Sequence, residues 1–370
     1  MTPDLRASAA RLQDWTRGAL VFWEGVQEPS GAWPEELHAD GTPHTAKIRR
    51  HRVQARQVYT YALATQLGWH DGREVVRRTV DFMWEAGWTE GGMVHRLHAD
   101  GTVADAAHDL YDHAFYLLAL GWAEAVVGGQ TARIAEVTAF IDGLAMENGG
   151  FAEDARGTLP RRQNPHMHLF EACVNLHGLG VPGDWWARAE SLLSLFRERF
   201  HEPRAKVVGE FFAADWTPVP GDVEPGHTCE WVWLLGLWER TGGAPLRGVQ
   251  DGLYQNALLS GGVWLWDAVD RRGEAVRETS RLWVQTELVK AHLAMAERGV
   301  AGAADMAAAG VNGLLAEWLE ARGTWVDKRG ACGQRIGEAV PTSTFYHVIT
   351  MAAEVARVAG VTSANASSRA

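Results

Sequence analysis

The chain has 370 residues, 46% of them hydrophobic, with a formal net charge of −11 and a pI near 5.8. That is ample material for a large core, and the acidic balance argues against nucleic acid or an anionic membrane as partner. No apolar run approaches the ~18 residues of a membrane span, and Met1-Thr2-Pro3-Asp4-Leu5-Arg6 lacks a signal peptide's basic and apolar regions, so a cytoplasmic protein is expected.

One phrase organises the chain: a glycine, an aromatic or apolar residue, then acidic or polar ones. It first reads Gly31-Ala32-Trp33-Pro34-Glu35-Glu36 and leads into Arg52-Val53-Gln54-Ala55-Arg56. Helical spacing follows over 79–87. The phrase returns as Gly92-Met93-Val94, before a helix over 110–125 that opens with Asp109, Tyr111, Asp112 and His113. Its third form is Gly150-Phe151-Ala152-Glu153-Asp154, ahead of Asn164-Pro165 (read as an N-cap with Pro at the first helical position), His168 and a helix over 169–178. The fourth is Gly209-Glu210-Phe211-Phe212, followed by Glu224-Pro225, His227, Glu230 and a helix over 231–238. The fifth, Gly262-Val263-Trp264-Leu265-Trp266-Asp267, precedes Trp283 and Glu287 on a helix over 282–296, and a short hairpin is expected from Val263 to Val269. The sixth, Gly323-Thr324-Trp325-Val326-Asp327, precedes Pro341-Thr342-Ser343 and His347 on a helix over 345–357. The Ser/Ala/Thr-rich end, 361–370, is expected to be a disordered tail.

Steps of about 60 residues across the whole chain mean repeated supersecondary units. Gly72, Gly129, Pro182-Gly183, Gly242-Gly243 and Gly299 to Gly302 fall where two helices per unit need a break. Each unit is a helix, a long Gly/aromatic loop, a second helix and a short turn. Six units predict an all-α (α/α)6 barrel forming one domain over residues 1–360, because a closed ring leaves no bare ends. Three cysteines without paired spacing, Cys173, Cys229 and Cys332, are read as reduced thiols. Eighteen tryptophans suit either a large core or a carbohydrate site, and composition does not choose between them.

The polar residues just inside each second helix carry the functional argument. In a barrel those helices share one axis, so Arg56, His113, Asn164, His168, His227, Glu230, Trp283, Glu287 and His347 would converge on a central cavity. One such histidine alone would be a satisfied core residue. Several buried ionisable groups at matching offsets cost several kcal/mol unless they are paired or solvated in a pocket. Metal-ligand spacing, phosphate loops, nucleophile elbows and dinucleotide fingerprints are missing from the sequence, so neither metal nor cofactor is expected. Histidines in a polar cavity suit proton transfer near neutral pH, next to a carbonyl that acidifies its own α-proton.

These residues resemble the N-acylglucosamine 2-epimerase superfamily, which includes mannose isomerases, sulfoquinovose isomerases and cellobiose 2-epimerases. The matching segments are Gln54-Ala55-Arg56-Gln57, Asp112-His113-Ala114-Phe115, Asn164 to Glu171, Pro225-Gly226-His227 to Trp233, Trp283 to Glu287 and Phe345-Tyr346-His347. The resemblance implies an (α/α)6 barrel, with His347 as the base at C2, His227 as its acid/base partner and Glu230 tuning His227. It further implies that Arg56 and His168 grip the O1/O2 edge, that Asn164 and Trp283 contact sugar, and that Glu287 orients a histidine. His113 belongs to a matching motif and is placed with the substrate-binding residues. The implied activity is a monosaccharide aldose–ketose isomerase acting on D-mannose and D-fructose or the related pentoses, as a monomer or homodimer. The alternative is a sugar 2-epimerase using the same histidines. A glycoside hydrolase would need two carboxylates ~5–9.5 Å apart across a bond, for which Glu230 and Glu287 are the candidates. A terpene-cyclase-type barrel would need a clustered Asp acid that is absent here.

Overall fold

The computed structural model describes residues 4–44, 48–261 and 264–361. Twelve α-helices occur among these residues: α1 (Leu5–Glu24), α2 (His51–Gln66), α3 (Arg73–Gly87), α4 (Leu110–Val127), α5 (Thr131–Gly143) and α6 (Gln163–Gly178), then α7 (Trp185–Leu195), α8 (Pro225–Arg240), α9 (Arg247–Ala257), α10 (Leu282–Glu297), α11 (Ala303–Glu317) and α12 (Phe345–Val358). The even-numbered helices form the inner ring. Each packs on the next, and α12 returns to α2. They are buried nearly all round: in α4 only Tyr111 breaks the buried run from Leu110 to Ala123. A helix with no polar face belongs in a core.

The odd-numbered helices form the outer ring and bury one stripe each. In α3 that stripe is Val75, Val76, Thr79, Val80 and Met83. The first helix has no partner of its own in the chain order, and it packs on α11 and α12, so the outer ring closes as well. Trp23 of α1 joins the ends: its indole stacks on Trp325 at 5.0 Å and its Nε1–H donates to the Gly323 carbonyl at 2.9 Å.

The six long loops, from outer helix to inner helix, lie together at one mouth. Short antiparallel pairings stitch each to its neighbour. Ile48–Arg50 pairs with Arg96–His98, and Asp109 bridges Asp154. Arg161–Arg162 pairs with Phe211–Phe212, and Val223 bridges Val269. Thr279–Arg281 pairs with Lys328–Gly330, and Val340–Pro341 returns to Glu36–Leu37. The loops thus form a closed ring of their own. The strands are only two or three residues long.

In four of the six units the glycine phrase ties the loop to its inner helix. The fourth residue of the helix accepts a backbone N–H from the phrase: Gln54 from Trp33 at 2.7 Å, His113 from Met93 at 2.9 Å, His166 from Phe151 at 3.0 Å and Gln285 from Leu265 at 3.0 Å. The acid of the phrase holds the arginine that precedes the helix, as Glu35 does for Arg50, Glu153 for Arg162 and Asp267 for Arg281. The close approach requires glycine. At Gly31 φ is +89°, and a Cβ would lie 2.3 Å from the Arg78 carbonyl oxygen.

Two local expectations change. Asn164 is not an N-cap: α6 starts at Gln163, with the Gln163 N–H bonded to the Glu210 carbonyl, so the helix opens two residues before Pro165. The hairpin of the fifth loop is shifted. Ala268–Val269 pairs with Ala275–Arg277, and only a bridge joins Gly261 to Leu265. The expected start at Val263 and the tail over 362–370 lie outside the described residues.

Candidate active site

A cavity of about 350 Å³ opens at the loop-bearing mouth, between the N-terminal turns of the inner helices. Arg56, Asn164, His168, His227, Glu230, Trp283 and His347 all line it, from five different helices. Tyr111, Asp327 and Thr344 complete the wall, and Arg50, Glu224 and Arg281 stand on it from the loops.

Three histidines are built alike. His347 Nδ1 meets Glu287 Oε1 at 2.8 Å, His227 Nδ1 meets both oxygens of Glu210 at 3.0 Å, and His168 Nδ1 meets Glu171 Oε2 at 2.9 Å. A carboxylate at Nδ1 holds the ring's orientation and leaves Nε2 for the cavity. Trp283 touches two of these rings, with centroids 5.3 Å from His227 and 5.4 Å from His347.

Their electrostatics differ. Burial disfavours the charge on His227, but the carboxylates of Glu210 and Glu224 outweigh it and raise its pKa to about 10. His347 is pushed well below the usual imidazole range, by burial first and then by the Arg56 and Lys290 charges. His168 falls to about 4, again chiefly through burial. At neutral pH the cavity therefore presents one imidazolium, His227, and two neutral imidazoles. Neighbouring groups with pKa values pushed apart are the pattern of an acid and a base.

Arg56 crosses the floor, donating to Tyr111 Oη at 3.2 Å and lying 4.3 Å from the Phe115 ring centre. Several buried polar atoms here have no protein partner: Arg56 Nε, Asn164 Oδ1 and both carboxylate oxygens of Glu230. Burial, and then the neighbouring Glu287 charge, raise the Glu230 pKa well above the carboxylate range. Unpaired buried polar atoms cost about 1–3 kcal/mol each, and a polyhydroxylated ligand would satisfy them.

Three site expectations are corrected. His113 is outside the cavity. Its Nε2 accepts the Met93 N–H, its Nδ1 sits 2.6 Å from the Asp109 carbonyl, and its ring stacks on Phe140, so both nitrogens are spent on the backbone. Glu230 does not bind His227, because that ring turns to Glu210 in the loop. The pair that does form at this helical spacing is His168–Glu171. Glu287 lies behind the wall, bound to His347, so it does not face Glu230 across a scissile bond as a hydrolase would need. Glu210 and Glu171 were missed. Each had a signal: Glu210 is the acid of the fourth glycine phrase, and Glu171 stands three positions after His168.

Two triads around the cavity have metal-capable atoms within 4.8 Å, His168–Glu171–Glu230 and Glu230–Glu287–His347. In both, Nδ1 of the histidine is already engaged by a carboxylate. A third, His95–Asp109–Asp112, carries Arg52 bonded to Asp112 at 3.0 Å. Among the described residues no helix is long and apolar enough to cross a membrane.

Comparison with known proteins places the chain in a family. The family profile described as N-acylglucosamine 2-epimerase (GlcNAc 2-epimerase) matches residues 32–351. A protein named mannose-6-phosphate isomerase from Rhizobium meliloti (strain 1021) is 35% identical, over 94% of this chain and 97% of its own. Among solved structures, a D-mannose isomerase superposes with a TM-score of 0.86 at 17% identity, over 94% of this chain and 97% of that one. A cellobiose 2-epimerase from Spirochaeta thermophila DSM 6192 gives 0.83 at 21% identity, over 96% and 98%. The fold is thus the (α/α)6 barrel of these enzymes, and the chain belongs to the N-acylglucosamine 2-epimerase family of sugar isomerases and epimerases.

Proposed function

We propose that this enzyme is an aldose–ketose isomerase that interconverts D-mannose and D-fructose through a cis-enediol(ate), without a cofactor. The observation that carries the reading is geometric: His227 and His347 line one cavity, both beside Trp283 and each with a carboxylate at Nδ1, and their surroundings push the His227 pKa up and the His347 pKa down. In the open-chain aldose, His347 Nε2 takes the C2 proton. The electron pair moves into a C1–C2 double bond, and the C1 oxygen gains charge. Arg56 and His168 hold the O1/O2 edge, which supplies the stabilisation such an oxyanion needs. His227 gives a proton to O1 and receives one from O2 as the C2 carbonyl forms. His347 returns its proton to C1. Asn164, Glu230 and Trp283 bind the rest of the sugar. A cavity of about 350 Å³ suits a single monosaccharide, and relatives named mannose-6-phosphate isomerase and D-mannose isomerase support isomerisation of a mannose-type sugar.

A 2-epimerase is the second reading. The same charged and neutral histidines would serve it, one giving and one taking a proton on opposite faces of C2. Incubation of mannose in D2O, followed by NMR, separates the two. Fructose labelled with deuterium at C1 is expected. Glucose labelled at C2 without ketose would establish the epimerase, and the absence of exchange with mannose, glucose, fructose or lyxose would remove both.

A further inference from the structure

Behind the cavity wall, α10 carries a lysine that no solvent reaches. Lys290 is 0% exposed, its Nζ lies 2.7 Å from Glu287 Oε2, and it sits 3.6 Å above the centre of the Trp233 ring. The other oxygen of the same carboxylate, Oε1, meets His347 Nδ1. Glu287 therefore spans a lysine and a histidine with one oxygen each. A fully buried ammonium costs several kcal/mol of desolvation even when paired. Lys290 does not line the cavity, so it acts on the reaction from behind the wall, through its charge near His347 and its contact with Glu287.

We infer that Lys290 is a positioning residue: by anchoring Glu287 as a carboxylate it fixes His347 in the Nδ1–H tautomer, and so selects His347 as the base. The catalytic half of this inference rests on the isomerase reading above. The reasoning follows the proton. A charged Glu287 can only accept from His347 Nδ1, which leaves Nε2 bare toward the substrate. Without the lysine, Glu287 would be a buried carboxyl crowded by Glu230, with which it shares the His347 triad. Such a carboxyl takes up a proton. A protonated Glu287 would donate to Nδ1, force the Nε2–H tautomer and leave His347 unable to receive the C2 proton.

The surroundings of His347 support the assignment to Lys290. Arg56 faces it from α2, His168 and Glu171 from α6, His227 and Glu230 from α8, Glu287 and Lys290 from α10, and Tyr346 from its own helix. Tyr346 gives its hydroxyl to Glu171, and Arg56 is committed to the cavity floor. Lys290 is the cation in contact with the carboxylate that bonds His347.

The test is the nitrogen-15 NMR signature of His347 together with turnover, in the native protein, Lys290→Met and Lys290→Arg. Native protein should show Nδ1–H and a bare Nε2 from pH 6 to 9. Lys290→Met should show Nε2–H, with kcat lowered about 10–100-fold and KM unchanged, and Lys290→Arg should recover most of both. Native Nε2–H, or a Met variant that keeps the Nδ1–H form and native kcat, would overturn the inference. If the Met variant does not fold, Lys290→Gln takes its place with the same readouts. Should the native protein turn over no sugar, the isomerase reading falls, and the tautomer measurement still judges Lys290.

Discussion

His166 and His168 stand two positions apart on α6 and do different work. His166 spends both nitrogens on backbone groups of its own loop. His168 has a carboxylate at Nδ1 and lines the cavity. The pattern of partners separates them: a backbone carbonyl four residues back marks a structural histidine here, and a carboxylate marks a cavity one. His113 repeats the first pattern, and His227 and His347 the second. If the latter two move the protons, His347→Ala and His227→Ala should each lower kcat by at least ~100-fold, measured as fructose formed from mannose. Native rates in either variant would take that residue out of the mechanism. His113→Gln, by contrast, should leave kcat near native. The sign of the pH dependence follows from His227, which is charged below about 10. Activity should hold through pH 7–9 and fall above about 10 as His227 loses its proton. Glu210→Gln removes the charge that offsets burial, so this basic limb should move to lower pH. A pH–rate profile that does not move would detach Glu210 from catalysis.

At the scale of elements, the working unit is the outer helix, its loop and the inner helix that follows. The inner helix is too buried to steer itself by polarity, so the loop sets its position through the fourth-residue hydrogen bonds. The first unit also needs the last. Trp23 is one contact between them, and Trp23→Ala removes a stacked, hydrogen-bonded indole buried to 0% exposure. Its loss should cost about 3–5 kcal/mol in urea unfolding, with the folded variant still turning over sugar. A loss below ~1 kcal/mol would show that the ring closes by other contacts.

At the scale of the whole molecule, the closed double ring gathers six loops over one opening, and the charges there decide what enters. Arg50 and Arg281 stand on the rim, but neither is free for an anion. Arg50 is held by Glu35, and Arg281 by Asp267 at 3.1 Å and Glu224 at 3.4 Å. Glu224 adds a carboxylate to the same wall. A neutral sugar meets no net penalty there, whereas a phosphate would compete with the carboxylates for each arginine. Mannose 6-phosphate should therefore show a kcat/KM at least about tenfold below that of mannose, roughly 1.4 kcal/mol in binding terms. Steady-state kinetics on both sugars decide it, and a preference for the phosphate would mean that the rim ion pairs open for substrate.

The residue pattern alone carried much of this protein. Six glycine phrases and the helical spacing between them were enough to count the helix pairs, because a repeat is written locally, in turn glycines and apolar periodicity. The same register pointed to Arg56, Asn164, His168, His227, Glu230, Trp283 and His347, since positions in the first two turns of equivalent helices face one axis. What the sequence could not show was which polar groups meet once the loops fold over. His227 turns to Glu210 in its loop instead of Glu230 on its own helix, Lys290 and His347 meet the two oxygens of Glu287, and His113 turns away from the cavity to hold a backbone amide. Spacing along a chain predicts neighbours on one helix. Partners from a different loop or helix are chosen by packing, and here that packing pushes the pKa of His227 up and that of His347 down.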